Sequence, residues 1–460
     1  MTPIDLDRAR RRALLEDLYA AAVAAAAPGP AVRRAVDRLL GQHLPGERHG
    51  APEPGRSIWL LALGKAALPM ADAAVAALRA HGLEPAGGLA VPPAPGATPH
   101  ASMAVTPGDH PEPGANSLAA ADALALVARQ VAPEDEAWVL LSGGATSLLG
   151  APVEGIAPGE LSALYGLLLG SGLDIAAMNR IRKRFSRWGG GRLAAALAPA
   201  RVRVLVVSDV IGDDLASIAS GPCVPDPTTA AEVRAALESA RLWHRMPASL
   251  RFGVEATERG QAGETPKPDH PAFAAVETQL IVSNRLALEA ASARAVQLGL
   301  TPSIMRPALA GEAADAGRVI AATLQAYGLS YRAGPPTQPN AFKPACLIWG
   351  GETTVTLGAG AGLGGRSQEL ALAAAEVLHD GAGAQGPMIL AAGTDGRDGP
   401  TDAAGAVVDG DTWEAIRETG RDPARDLARH DAYPALDAAG ALLRPGLTGT
   451  NVMDVVFGLA

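Results

Sequence analysis

A short apolar run, a glycine-rich loop and an alanine-rich stretch follow one another repeatedly along this chain. The unit appears in "SIWLLALGKAALPMADAAVAAL", "AWVLLSGGATSLL", "VRVLVVSDVIGDD" and "QLIVSNRLALEAASARAVQLG". It returns in "LIWGGETTVTLGAGAGLGGRSQELALAAAEVL" and "MILAAGTDGRDGPTDAAGAVV". Short apolar runs with little polar alternation read as strands buried on both faces, and alanine-rich stretches read as helices. Their alternation predicts an α/β protein with largely parallel sheets. At 460 residues the chain exceeds what one hydrophobic core serves, so two domains are expected. The Pro- and Gly-rich segments 257–271 and 331–345 break the rhythm. With the boundary in the first of them, the domains are residues 1–265 and 272–460.

Composition narrows the function. Aromatic residues are only 3% of the chain, so its cores are built from Ala, Val and Leu. A formal charge of −9 argues against a nucleic-acid partner, which needs a net basic face. Cys223 and Cys346 match no zinc spacing and suggest no disulfide framework. The N-terminal "DRARRRALLEDLYAAAVAAAAPGP" has basic residues before an apolar run, but Glu16 and Asp17 interrupt it, and it reads as an amphipathic helix. The expectation is a cytoplasmic enzyme with no membrane partner.

Ligands of open α/β sheets collect at the carboxyl ends of the strands, so the loops that follow the apolar runs carry the chemistry. Lys65 follows the first run just before a helix N-terminus, where backbone N–H groups favour anions. The pair Gly64-Lys65 precedes Ala66, so it is not a nucleotide-binding P-loop. "SGGATS" at 142–147 suits a phosphate or carboxylate. After Val202–Val207 the chain turns acidic, with Asp209, Asp213 and Asp214, and a further loop supplies Asp395, Asp398 and Asp402. These carboxylates either cap helices or hold a metal against phosphates. Asn179, Arg182, Lys183 and Ser186 share a helix face by their spacing, either as an anion clamp or as a solvated basic face. Gly360, Gly362 and Gly365 spell G-x-G-x-x-G after the strand-like "TTVTL" and before a helix. The acidic residue that a dinucleotide fingerprint needs comes too late, and Arg366 directly after the last glycine suggests contact with an anion. Cationic and acidic loops together suit metal-bridged phosphoryl transfer.

The ordered motifs "MNRIRKRFSRWGGGRLA", "SDVIGDDLASIASGPCVPDPTT", "GGETTVTL", "GGRSQELALA", "AGTDGRDGPTDAAGA" and "LTGTNVMD" make the chain resemble the MOFRL-type glycerate 2-kinases. That family was once labelled hydroxypyruvate reductases, and the likeness covers nearly the whole chain. It implies an N-terminal Rossmann-like domain with a parallel sheet and a C-terminal MOFRL α/β domain. The implied activity is ATP-dependent phosphorylation of D-glycerate at its 2-hydroxyl, giving 2-phospho-D-glycerate, with Mg²⁺. On the matching positions, Lys65, Asp209 and Arg366 are the implied catalytic residues. Ser142, Gly143, Gly144, Ser147, Asn179, Arg182, Lys183, Glu312, Glu352, Gly365 and Asp395 are implied to line nucleotide and substrate. Asp209 and Asp213 are implied to face the metal, and Asp209 fits either a metal ligand or the base that takes the hydroxyl proton. The chain departs from the family at "SGGATS", at Cys223 in place of a threonine, and at "HDAYPAL". The alternatives are an NAD(P)H-dependent hydroxypyruvate reductase, which would consume NADH without ATP, and a non-catalytic anion-binding regulator, which would form no ADP. A homodimer is compatible with all three.

Overall fold

The run Ile58–Leu63 (β1) has no charged residue, and all but one of its side chains are buried. Such a strand belongs inside a sheet covered on both faces. The structure is a computed structural model describing residues 8–41, 56–173, 175–332, 344–358, 360–380 and 386–460. In it, β1 lies in a six-stranded sheet with Gly87–Val91 (β2), Met103–Val105 (β3), Glu136–Leu141 (β4), Arg201–Val207 (β5) and Val276–Val282 (β6). The order is β3-β2-β1-β4-β5-β6, and the ladders β2–β3, β1–β2, β1–β4 and β4–β5 are parallel. This is the Rossmann order, whose direction of winding reverses between β1 and β4. Register brings three strand ends level, because Leu63 pairs with Leu141 and Leu141 with Val206.

The second sheet contains Thr301–Ile304 (β7), Ala345–Gly351 (β8), Met388–Gly393 (β9), Gly405–Val408 (β10), Leu442–Leu443 (β11) and Asp454–Leu459 (β12). Its order is β11-β10-β9-β12-β8-β7. Only β7–β8 is a parallel ladder; β12 runs antiparallel to both β8 and β9, and β10 antiparallel to β9 and β11. The expectation of parallel sheets therefore holds for the first sheet and fails for this mixed one. No helix separates β9 from β10, so the chain doubles back instead of crossing over. Asp454 pairs with both Gly351 and Gly393, which puts the start of β12 at the carboxyl ends of β8 and β9.

The chain divides into two compact units, Pro28–Ile281 around the first sheet and Val282–Ala460 with the chain up to Ala27 around the second. The helix Arg8–Ala25 thus belongs with the C-terminal strands. It buries Leu15, Leu18, Tyr19 and Ala22, Tyr19 donates to the Gly393 carbonyl at 2.9 Å, and Asp17 pairs with Arg294 at 2.7 Å. At the centre of this unit the helix Arg366–His379 is buried nearly all round, and its run of alanines allows that close packing. In the segment 257–271, Lys267 donates to the carbonyls of Asp226 and Thr228. Most of the other Pro-rich segment, residues 333–343, lies outside the described residues. Cys223 and Cys346 are buried free thiols. No helix among the described residues is long and apolar enough to cross a membrane.

Candidate active site

In the N-terminal unit the level ends of β1, β4 and β5 gather three loops. The Lys65 amide donates to the Gly143 carbonyl at 2.9 Å, and the Ser142 amide donates to Leu63 at 2.9 Å. Ser142 is buried, with its hydroxyl accepting from the Ala66 amide at 3.0 Å, so it fixes the turn that carries Lys65. Lys65 itself is exposed and forms no ion pair among the described residues. Gly143 admits Asp209: a Cβ there would overlap the Asp209 carboxylate. Gly144 has φ +82°, a region that favours glycine, and the side chains of Lys65 and His110 both lie against it. Ser147 donates to the Gly144 carbonyl at 3.0 Å, closing the turn.

Asp209 is half-buried two residues past β5. The loop beyond it is strained, because Asp213, Ala219 and Ser220 all have positive φ, of 56°, 51° and 62°. Non-glycine residues in that region cost about 1–3 kcal/mol each and gather at functional sites. Asp214 is spent locally: its carboxylate accepts from the Ser217 hydroxyl at 2.6 Å, which holds it below the usual carboxylate range. Asp214 thus serves its own loop, whereas Asp209 stands at the strand-end cluster.

The basic segment is not a solvated face. Asn179, Arg182 and Lys183 lie on the helix Ile175–Phe185, but Ser186 falls beyond its end. Lys183 is buried; burial lowers its pKa, while the nearby carboxylates Asp226 and Asp214 pull it up. Arg182 stacks over the Tyr165 ring at 4.9 Å, and Arg184 bonds Glu264 and Thr257.

In the C-terminal unit, the β12 register assembles the other cluster. Arg366 opens the helix Arg366–His379 and donates to both oxygens of Asp454, at 2.6 and 3.0 Å, and to Glu352 at 2.6 Å. Burial opposes the Arg366 charge, but Asp454, Glu352 and Asp398 outweigh it and hold its pKa above the ordinary range. Burial pushes Asp454 up to about 6 against the pull of Arg366. Asp398 accepts from the Ser367 and Gln368 amides at 3.2 and 2.8 Å, and burial pushes it up to about 7. The first amides of that helix are therefore already occupied. Gly365 packs against Asp398, and residues 353–357 form no strand. The G-x-G-x-x-G match lacks both the strand and the free amides of a dinucleotide site.

A cavity of about 370 Å³ lies here, lined by Arg366, Asp395, Asp398, Glu369 and His430 among others. Asp395 accepts from the Arg397 amide at 3.0 Å, and Glu312 accepts from the Thr356 hydroxyl at 2.5 Å. His430 bonds Glu369 at 2.9 Å. Sequence reasoning passed over His110, Asp454, Glu369 and His430 as site residues. Asp454 ends the motif "LTGTNVMD" and His430 begins "HDAYPAL", so a signal was present without a role. The structure brings Lys65, Gly143, Gly144 and Asp209 together in one unit, and Glu352, Gly365, Arg366 and Asp395 together in the other.

Residues 14–254 match the family described as Domain of unknown function (DUF4147), and residues 345–454 match the MOFRL family. A glycerate 2-kinase of Pyrococcus horikoshii is 37% identical over 446 residues, covering 96% of each chain. A D-glycerate 2-kinase of Thermotoga maritima is 40% identical over 353 residues, which is 76% of this chain and 78% of that one. The crystal structure of a glycerate kinase from Thermotoga maritima aligns with a TM-score of 0.83 at 35% identity, covering 98% of this chain and 99% of its own. An α/β fold with a Rossmann-ordered sheet, the strand-end residues just described and this likeness along nearly the full length lead to one assignment: the chain belongs to the MOFRL-type glycerate 2-kinase family.

Proposed function

We propose that this enzyme transfers the γ-phosphoryl group of ATP to the 2-hydroxyl of D-glycerate, giving 2-phospho-D-glycerate, in the cytoplasm. The observation that carries the reading is the level edge of β1, β4 and β5, where an exposed lysine, a glycine turn and a carboxylate meet at the reversal of strand order. Lys65 neutralises phosphate charge there, and the backbone of Gly143 and Gly144 permits close approach of the ligand. Arg366, fixed in its plane by Asp454 and Glu352, orients an anionic group, while Asp395 and Gly365 border it.

Among the described residues, no group of three or more His, Cys, Asp or Glu side chains is placed to hold a metal alone. Asp209 and Asp213 are hard oxygen donors, and one or two carboxylates completed by substrate phosphates are the usual protein share of a Mg²⁺ site. They fit the ion on those terms. When bound, Mg²⁺ would offset the charge that develops on the phosphate oxygens.

The test is incubation of the protein with Mg-ATP and D-glycerate, followed by ADP release and phosphorus NMR of the product. ADP with 2-phosphoglycerate supports the proposal. NADH consumed with hydroxypyruvate in the absence of ATP overturns it, as does a 3-phosphoglycerate product.

A further inference from the structure

His110 belongs to no assigned role; it is exposed, but the backbone just before it is anchored. It follows β3 in a loop held at Asp109, whose carboxylate accepts from the Asn116 amide at 2.8 Å, the Asn116 side chain at 2.8 Å and the Ser117 amide at 3.3 Å. The Asp109 amide in turn donates to the Ser117 hydroxyl at 3.0 Å, and the Gly108 amide donates to Pro92 at 3.0 Å. These bonds tie the backbone just before His110 to the start of the helix Ala115–Ala128. The imidazole itself forms no hydrogen bond or ion pair among the described residues. It lies instead on Gly144: from the point where a Cβ would stand, His110 Cδ2 is 3.2 Å away, and Lys65 Cγ and Cε are 3.1 and 3.2 Å away. Imidazole and lysine stem thus flank Gly144, and the Asp209 carboxylate lies against the preceding Gly143.

We propose that His110 accepts the proton of the substrate hydroxyl during phosphoryl transfer. This rests on the kinase reading of the same strand-end cluster. As the hydroxyl oxygen forms its bond to the γ-phosphorus, the bond from that phosphorus to the β–γ bridging oxygen breaks. Its electron pair leaves with the ADP, and the hydroxyl proton passes to an imidazole nitrogen. His110 is exposed, but desolvation where the ring meets the Gly144 turn and the Lys65 ammonium both hold it below the ordinary histidine value, which favours the neutral, proton-accepting ring. Lys65 is the charge facing it from the β1 turn. Gly143, Gly144 and the short helix Ala145–Leu148 bring none. On its own loop Asp109 is engaged as described, Glu112 is exposed, and Asp209 lies behind Gly143. An anion seated on Lys65 relieves the repulsion on the ring, so ligand binding raises the basicity of His110 when a proton has to leave. Asp209 is then left to the metal.

The test compares wild type with His110→Gln and His110→Ala. Both variants lose about 100-fold or more in kcat with little change in KM, the usual scale for a general base. Wild-type kcat/KM falls as pH drops through the imidazole pKa, and this acid limb vanishes in His110→Gln. Independently of turnover, proton NMR of the imidazole places the His110 midpoint below that of a free histidine, and Lys65→Met moves it upward. A folded His110→Gln enzyme that keeps both its rate and its acid limb overturns the proposal alone. Failure of the wild type to phosphorylate glycerate overturns the kinase reading and the proposal with it.

Discussion

At the edge of the parallel sheet, Lys65 is exposed and has no carboxylate partner among the described residues. At the edge of the mixed sheet, Arg366 is gripped by Asp454 and Glu352. Each cation sits where a loop enters a helix, yet their electrostatics are opposite. An unpaired ammonium attracts an anion and has no partner to displace. A guanidinium held by two carboxylates contributes orientation, with its charge offset beforehand. The acids differ in parallel. Hydrogen bonds hold Asp109 and Asp214 down in the first unit, whereas burial raises Asp398 and Asp454 in the second.

The sharpest way to break this contrast is Lys65→Ala. Turnover should fall about 100-fold, roughly 2.7 kcal/mol of barrier, with the unfolding midpoint unchanged. A near-normal rate in the folded variant would return Lys65 to the role of a solvated side chain. Asp454→Ala should act on stability instead. Loss of the partner leaves Arg366 partly buried without its main counter-charge, at about 2 kcal/mol; a fully buried pair would cost more. Denaturant titration measures this, and an unshifted midpoint would show that Glu352 alone suffices. Gly144→Ala forces a side chain into the left-handed region for about 1.5 kcal/mol and crowds Lys65 and His110. It should raise KM for ATP or glycerate while secondary structure by circular dichroism is retained.

The smallest effect is on pH response. A carboxyl whose folded pKa is raised binds its proton more tightly when folded. Its contribution therefore favours folding in acid and is lost as pH rises from the unfolded value near 4 toward about 7 for Asp398. The C-terminal unit should therefore lose stability as pH rises from about 5 to about 7.5. Asp398→Asn should flatten that slope in melts followed at both pH values. In the N-terminal unit, carboxyls held low lose their contribution only as pH falls through their folded pKa values. A C-terminal midpoint that rises with pH would contradict the contrast.

Much of the first site is readable along the chain because its information is local. The runs at Ile58–Leu63 and Arg201–Val207 announce buried strands, and Lys65 and Asp209 follow them directly. The second site is not local. Arg366 and Asp454 are 88 positions apart, and they meet only because β12 runs antiparallel between β8 and β9. The glycine spacing at 360–365 is equally visible, but what a dinucleotide requires beside it is tertiary. Asp398, reaching back from the β9 loop, already holds the amides that the spacing seemed to offer. His110 escaped notice because its neighbours Lys65 and Gly144 come from two other loops.

The N-terminal helix has a consequence for the order in which the protein is made. Arg8–Ala25 leaves the ribosome before the helix Asn284–Gln297 and before β9 and β12, yet it packs on all three. Residues 28–281 form a continuous unit and can close while Leu15, Leu18 and Ala22 still await their cover. Synthesis and assembly thus run in different sequences, with an earlier segment docking onto later ones. A recombinant fragment beginning at Val282 would lack this helix and bare the sheet surface beneath it, so the MOFRL region is best produced with residues 8–27 supplied on the same chain or in trans.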